Sequence, residues 1–222
     1  MDQIYLNDIV TGQYGTFIVG PRDGVCEHVA RGEFWDSWLL PHLNNLGPND
    51  IAVDVGTSIG QISVYLAQRC KWVHSFEPQN INYERLVKNV ELNNLNNVTC
   101  YNVALYNKET KMFVNGHREQ NKIVYDGGAN SACSVSLGEN AGGDITAKTL
   151  DSYGFEKVSF IKIDAENADY YVIEGGIETI KRCHPAIIYE YGKQGPDPKE
   201  IFKNLNYNVK EVAGQNYMAT PK

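Results

Sequence analysis

The sequence has 222 residues, of which 42% are hydrophobic and 21% are charged, and its formal net charge is −7. This length supports one well-filled hydrophobic core, so we predict a single domain in which residues 1–50 form a cap and residues 51–222 form the core. The acidic balance disfavours a surface that binds nucleic-acid phosphates, because such a surface normally needs a basic patch.

The cysteine pattern and the absence of targeting signals also indicate where in the cell the protein resides. The sequence shows no secretory signal, and no apolar run approaches the roughly 20 residues that a membrane-spanning helix needs. The five cysteines are scattered without a CxxC pair, which is typical of reduced thiols rather than of a disulfide or zinc framework. We therefore expect a cytoplasmic protein without membrane insertion. The sequence does not indicate an oligomeric state.

From residue 51 onward, apolar runs alternate with segments of helical periodicity. The predicted strands are residues 51–55, 72–76, 98–103, 159–164 and 186–191. The predicted helices are residues 60–70, 80–93 and 168–182. Strands separated by helices of this length imply crossover connections, and hence an α/β fold with a mainly parallel sheet and helices on both faces.

Two regions interrupt this alternation. Residues 104–147 contain strand candidates at 111–114 and 145–148, with a polar, glycine-rich stretch at 125–143 between them. A loop of that length is usually functional or disordered. Residues 207–212 and 217–219 predict a closing antiparallel hairpin.

The stretch IAVDVGTSIGQ, residues 51–61, places Asp54 inside the first strand and puts Gly56 and Gly60 directly after it. In parallel α/β sheets, ligands bind beyond the carboxyl ends of the strands, and glycines let a ligand approach the backbone. Glu77 ends the second strand, about 20 residues on, where an acid can bind both hydroxyls of a ribose. These features predict a nucleoside site, with a purely structural turn as the alternative.

The spacing of the turn bears on which nucleoside binds. A dinucleotide fingerprint, GxGxxG, brings the backbone close to a pyrophosphate, whereas this turn reads GTSIG and no basic residue follows it. A phosphate-free nucleoside with a positive centre fits better. S-adenosylmethionine is such a ligand, because a carboxylate such as Asp54 attracts its sulfonium and amino groups. A nicotinamide-dependent oxidoreductase is a disfavoured alternative.

Three blocks of the sequence resemble, in order and spacing, the FkbM family of S-adenosylmethionine-dependent methyltransferases. They read VDVGTSIGQISVYLA, SFEPQNINYERLVKNVELNNLNNVTCYNVAL and FIKIDAENADYYVIEGGIETIKRCHPAIIYEY, and the resemblance spans about residues 33–191. It implies a Rossmann-like class I methyltransferase fold with a seven-stranded sheet, and methylation of hydroxyl oxygens on sugars or polyketide-like metabolites. The alternatives are a nucleic-acid (RNA cap or ribose) methyltransferase and a non-catalytic cofactor-binding module.

The resemblance also implies a set of residues that bind the cofactor, to which we add Glu33 as a residue of the cap that closes the site. The implied residues are Asp54, Gly56, Thr57, Ser58, Gly60, Glu77, Pro78, Asn102, Val103, Ala104 and Asp164. Thr57-Ser58 departs from the Ala-Asn that is common in the family. Asn167 stands where the family's Asp-Val-Glu-Gly-x-Glu block has its glycine, which puts the local backbone shape in question.

A second group of acids follows the later strands and is the predicted catalytic set: Asp164, Glu166 and Glu190. Methyl transfer to a hydroxyl needs a base that takes the proton, and Asp164 or Glu166 is a candidate. Alternatively, Asp164 with Glu166 or Glu190 binds a divalent metal, Mg²⁺ or Mn²⁺. A further alternative is that Glu166 and Asp169 only cap the following helix.

The long polar loop provides the predicted acceptor pocket. Its small polar residues Ser131, Cys133 and Ser134 lie between glycines that would permit closure over a substrate. A small-molecule or glycan acceptor fits such residues, and a plain solvated loop is the alternative.

Overall fold

The computed structural model describes residues 8–20, 24–114, 116–119, 122–125, 137–139, 143–191 and 196–222. The predicted acceptor residues Ser131, Cys133 and Ser134 lie outside the described residues. None of the described helices has the length and apolar character that a bilayer crossing requires.

The chain begins with a β-hairpin and two short helices. These elements are β1 (Asp8–Gly12), β2 (Gly15–Val19), α1 (Gly24–Ala30) and α2 (Leu40–Leu43). A single 3₁₀ turn, Ser37–Leu39, precedes α2. Phe17 of β2 packs against Val25 and Val29 of α1, so the hairpin and helix share one small core.

The first half of the main sheet follows. Its elements are β3 (Ile51–Val55), α3 (Gln61–Ala67), β4 (Trp72–Phe76), α4 (Asn80–Leu92) and β5 (Val98–Tyr101). The predicted strands 51–55 and 72–76 are confirmed. The predicted helix 60–70 is shorter at both ends: α3 ends at Ala67, and it starts one residue later because Gly60 is its N-cap, with φ at 88° in the left-handed region.

A smaller sheet is inserted after β5. Its region contains β6 (Ala104–Leu105), β7 (Thr110–Val114), β8 (Gly116–Glu119), β9 (Lys122–Tyr125), β10 (Leu137–Glu139) and β11 (Ile145–Lys148). The order in this sheet is β10-β7-β11-β6, and β8 pairs with β9 separately. The strands predicted at 111–114 and 145–148 are confirmed, whereas β8, β9 and β10 are short and were not predicted.

The second half of the main sheet closes the chain. It contains β12 (Phe160–Ile163), α5 (Asp169–Glu174), α6 (Ile177–Cys183), β13 (Ala186–Glu190), α7 (Lys199–Asn204), β14 (Tyr207–Ala213) and β15 (Asn216–Pro221). The prediction of one helix over 168–182 is wrong, because the chain breaks at Gly175 and Gly176. A Cβ atom on Gly175 would collide with the carbonyl oxygen of Tyr106, so close backbone packing fixes the break.

The main sheet has seven strands in the order β14-β15-β13-β12-β3-β4-β5. The five strands from β13 to β5 are parallel, and β15 joins β13 antiparallel and forms a hairpin with β14. The predicted mainly parallel sheet and closing hairpin are therefore confirmed. Chain order reverses between β3 and β12, and the carboxyl ends of strands at such a switch point form a crevice for ligands.

Helices cover both faces of this sheet. On one face, Val53 packs in a cluster with Val172 of α5 and Ile180 of α6. On the other face, Ala52 packs with Ile62 and other residues of α3. Burial on both faces explains why β3 and β12 are mainly apolar, with Asp54 and Lys162 as their only charged residues.

Candidate active site

A cavity of about 370 Å³ lies at the switch point, beyond the carboxyl ends of β3, β4, β12 and β13. Its walls come from the loops after these strands, from the start of the small sheet and from Trp35 and Asp36 of the N-terminal segment. The cavity brings together eight of the predicted cofactor residues: Gly56, Thr57, Ser58, Glu77, Pro78, Val103, Ala104 and Asp164.

The glycine turn is shaped by its neighbours in the sheet. Gly56 has φ at 72°, and a Cβ atom there would collide with the carbonyl oxygen of Asp164. The amides of Gly56 and Thr57 both donate to the carbonyl of Phe76, over 3.0 and 3.2 Å. The turn therefore packs tightly over the ends of β4 and β12. This packing alone requires a glycine at position 56, whether or not a ligand binds.

Glu77 is held rigidly at the end of β4. Its side chain is buried, and each carboxylate oxygen accepts a backbone N–H at 2.9 Å, one from Ser58 and the other from Gln79. Burial raises the pKa of Glu77 to about 8, against the opposing effect of these two hydrogen bonds. Each oxygen keeps a further lone pair for a donor group in the cavity.

Asp54 lies beneath the cavity and is fully buried. Ser63 donates to its Oδ2 over 2.6 Å, and Ser63 is itself hydrogen-bonded to Ser75 and Thr57. Asp54 Oδ1 has no hydrogen-bond partner among the described residues, and Lys162 Nζ lies 3.9 Å from it. The Thr57 hydroxyl therefore belongs to a buried polar network. Thr57 is one of the two residues that differ from the Ala-Asn pair common in the family.

Lys162 is the cation that this network faces. Its side chain comes from β12, is 6% exposed, and lines the cavity. The Nζ atom lies 3.2 Å from Asp164 Oδ2 and 3.4 Å from the carbonyl of Gly56. Burial opposes the charge, but the carboxylates of Asp164, Asp54 and Asp36 outweigh it and raise the pKa of Lys162 above its usual value.

Two further acids face the same cavity. Asp36 and Glu190 both line it, and burial raises the pKa of each carboxyl. For Glu190, the charges of Asp164 and Asp36 add to this effect while Lys162 opposes it. The cavity therefore contains more carboxylates than cations among its described lining residues, and it favours a ligand with a positive centre.

The loop after β12 has a left-handed backbone conformation at position 167, where the family has a glycine and this chain has Asn167. Glu166 and Asn167 have φ values of 49° and 73°, and asparagine is among the residues that tolerate this left-handed region. Asp169 is buried, and its two oxygens accept the N–H groups of Ala165 (3.2 Å) and Glu190 (3.0 Å). Asp169 thus ties the loop to β13, and Glu166 lines the cavity.

Four predicted cofactor residues lie outside the cavity lining: Glu33, Asp54, Gly60 and Asn102. The Glu33 carboxylate is half exposed and pairs with Arg31 at 3.0 Å. The Asn102 amide donates to the backbone carbonyls of Glu77 and Pro78, so Asn102 supports the loop that carries Glu77. Gly60 caps α3.

The predicted metal set of Asp164, Glu166 and Glu190 is not supported. Within the part of the chain that the structure describes, no three His, Cys, Asp or Glu side chains are grouped so that they could hold a metal ion. Asp164 is instead paired with the ammonium of Lys162, which already compensates its charge. Oxygen ligands for Mg²⁺ or Mn²⁺ are therefore not assembled by these residues.

Two charged lining residues, Asp36 and Lys162, were not identified as site residues from the sequence. Asp36 reaches the cavity because the Trp35 amide donates to Gln61 Oε1 on α3, and the Gln61 amide donates back to the carbonyl of Glu33. No local pattern marks such a long-range contact. The sequence does not assign the direction of the Lys162 side chain, because all four residues of β12 are buried and no alternation of buried and exposed positions marks one face.

Comparisons with known proteins agree with this architecture. A profile of the methyltransferase FkbM domain matches residues 54–213. No curated protein matches the sequence. The fold is similar to that of a methyltransferase FkbM from Methylobacillus flagellatus KT, with a TM-score of 0.51 and 15% identity over 77% of this chain, and this chain spans only 43% of that protein.

A second solved structure has a similar fold. It is precorrin 8W decarboxylase from Methanobacterium thermoautotrophicum, with a TM-score of 0.50, 12% identity, and coverage of 83% of this chain and 88% of that one. At these identities the likenesses show a shared Rossmann-like fold. The profile match, in contrast, spans most of the chain, and the chain therefore belongs to the FkbM methyltransferase family.

Proposed function

We propose that this protein is an S-adenosylmethionine-dependent O-methyltransferase that acts on a hydroxyl of a sugar, a glycan or a related hydroxylated small molecule. One observation carries the proposal: Glu77, fixed by two backbone amides, faces an acid-lined cavity at the switch point of the sheet. Family membership supports methyl transfer as the reaction.

The residues present fit this cofactor. The Glu77 carboxylate would accept hydrogen bonds from the two ribose hydroxyls, and the backbone at Val103 and Ala104 would lie along the adenine. The carboxylate of Asp36 would attract the sulfonium and amino groups. The volume of about 370 Å³ lies within the range of about 300–1,000 Å³ that is usual for small-molecule sites. When bound, S-adenosylmethionine supplies an electrophilic methyl group.

The protein's own contribution to the reaction is positioning and proton removal. We assign the base to Glu190, because burial raises the pKa of this carboxyl, and a base with a pKa nearer neutrality is more effective at pH 7. Glu166, which lines the same cavity, is the alternative base. Asp164 is a weaker candidate because its charge is compensated by Lys162.

Labelled methyl transfer tests the proposal directly. Wild-type protein would be incubated with S-adenosylmethionine and a library of free sugars, glycosides and glycans, with and without EDTA, and products would be identified by mass. We expect transfer to a hydroxyl oxygen, and full activity in EDTA because the described acids do not form a metal site. Transfer to nitrogen or to an RNA ribose in place of a sugar would contradict the O-methyl sugar assignment, and activity that requires added Mg²⁺ would contradict the metal-free base.

A further inference from the structure

A second cavity of about 180 Å³ adjoins the first one, on the side of β13 and the β14–β15 turn. Glu166 and Glu190 line both cavities. A group bound in the first cavity and a group bound in the second would therefore meet at these two carboxylates. This is the arrangement that a transfer between two substrates needs.

The walls of the second cavity are fixed by buried and backbone hydrogen bonds. Asp169 is 3% exposed and joins the loop after β12 to the amide of Glu190. The amide of Tyr191 donates to the carbonyl of Gln215 over 2.8 Å, which joins β13 to the β14–β15 turn. Three separate segments are thus held around the cavity, and the site is preorganised rather than assembled from a single loop.

The chemistry of the lining indicates the class of ligand. Besides its carboxylates, the second cavity is lined by the rings of Tyr170 and Tyr191 and by the side chains of Asn167 and Gln215. Carboxylates and amides accept hydrogen bonds from hydroxyls, and aromatic rings offer apolar surface to the C–H faces of a sugar. The described lining includes the carboxylates of Glu166, Asp169 and Glu190, and these like charges disfavour a phosphate group.

We propose that the second cavity is the acceptor site and that it takes one uncharged sugar unit rather than a phosphorylated or nucleotide-linked sugar. Its volume is below the roughly 300 Å³ at which drug-sized pockets begin, so it encloses one ring at a time. The proposal rests on the proposed function for the methyl donor. In the reaction, the S–CH₃ bond breaks as the C–O bond forms, the sulfur becomes a neutral thioether, and the acceptor proton passes to the carboxylate of Glu190.

Binding of acceptor probes tests this assignment without requiring turnover. ¹⁵N-labelled protein, free and saturated with S-adenosylhomocysteine, would be titrated with a panel of neutral methyl glycosides and with their 6-phosphates. We expect at least one neutral glycoside to shift the side-chain amide signal of Gln215, and its 6-phosphate to bind about tenfold more weakly or worse. Gln215→Ala should weaken glycoside binding about fivefold, and Gln215→Arg should shift the preference toward the phosphate.

Asn208→Ala, an exposed position on the same hairpin outside both cavities, should leave glycoside affinity unchanged. Equal or tighter binding of the phosphates by wild type, or no shift of Gln215 with any glycoside, would overturn the acceptor assignment. Failure of S-adenosylhomocysteine to bind would count instead against the proposed function, and the titration of the free protein would still test the second cavity.

Discussion

Lys162→Met gives the most quantitative test of how the site is built. Lys162 Nζ lies 3.2 Å from Asp164 Oδ2 and 3.9 Å from Asp54 Oδ1. With an effective dielectric constant of about 20, these separations correspond to attractions of about 5 and 4 kcal/mol before desolvation is counted. Distance alone would make Asp164 the more important partner.

The solvent exposure of the two carboxylates makes Asp54 the more important partner instead. The Asp164 side chain is 29% exposed and can be solvated when Lys162 is lost, whereas Asp54 is 0% exposed and keeps only the hydrogen bond from Ser63. Removing one partner of a buried pair costs about 3–5 kcal/mol, because the other charge is left uncompensated. We expect Lys162→Met to lower the free energy of unfolding by this amount, which corresponds to a fall in Tm of about 6–20 °C for a chain of this size.

Thermal unfolding of double variants, followed by circular dichroism, identifies the partner that matters. Asp54→Asn in the Lys162→Met background should recover most of the lost stability, and Asp164→Asn should recover little. Lys210→Met, at an exposed position of β14, is the control and should leave Tm nearly unchanged. If Asp54→Asn lowers the stability of Lys162→Met as much as it lowers that of wild type, Asp54 is not the partner that Lys162 stabilises.

Four further predictions concern single positions. Because burial raises the pKa of Glu77 to about 8, affinity for S-adenosylhomocysteine should increase from about pH 6 to 9 as the carboxylate ionises and accepts the ribose hydroxyls. Calorimetry should find that the affinity of Glu77→Gln changes much less over this pH range, and an equal pH dependence in the variant would contradict the role of Glu77. Gly56→Ala should lower Tm far more than Gly154→Ala, since both glycines have positive φ but only the first would collide with a neighbour. Asn167→Ala should cost about 1–2 kcal/mol in urea unfolding while Asn167→Gly does not, and equal losses would argue against the left-handed conformation. Glu190→Gln should lower kcat for methyl transfer while the Kd for S-adenosylhomocysteine changes less than about twofold, and a large change in that Kd would place Glu190 in cofactor binding instead.

The central strands of the main sheet could be predicted because they are buried on both faces. The apolar runs of β3 and β4 mark such strands, and their bounds match the prediction. The region between β5 and β12 was only partly predicted, since β8 and β10 are short and carry polar residues. The break between α5 and α6 depends on the approach of Tyr106 to Gly175, a contact between residues far apart in the sequence that helical periodicity does not reveal.

On the cofactor side of the site, the residues that belong to a local sequence motif could be predicted. Gly56 and Glu77 follow strands at recognisable spacing, and both line the cavity. Asp36 could not be predicted, because a long-range hydrogen bond between Trp35 and Gln61 places it there. Lys162 could not be predicted either, because a strand buried on both faces loses the alternation that would assign the direction of this side chain.

Isothermal titration of the wild-type protein and of Glu77→Gln is the most direct test of the account, because it addresses the cofactor cavity itself. Each protein would be titrated with S-adenosylhomocysteine and with NADPH, after its fold has been checked by its Tm. At pH 9, where the Glu77 carboxylate is ionised, we expect wild type to bind S-adenosylhomocysteine and not NADPH. At the same pH, Glu77→Gln should weaken this binding by about tenfold or more, since a hydrogen bond to a charged group contributes about 1.5–3 kcal/mol. Binding of NADPH without S-adenosylhomocysteine, or unchanged affinity in folded Glu77→Gln, would contradict it.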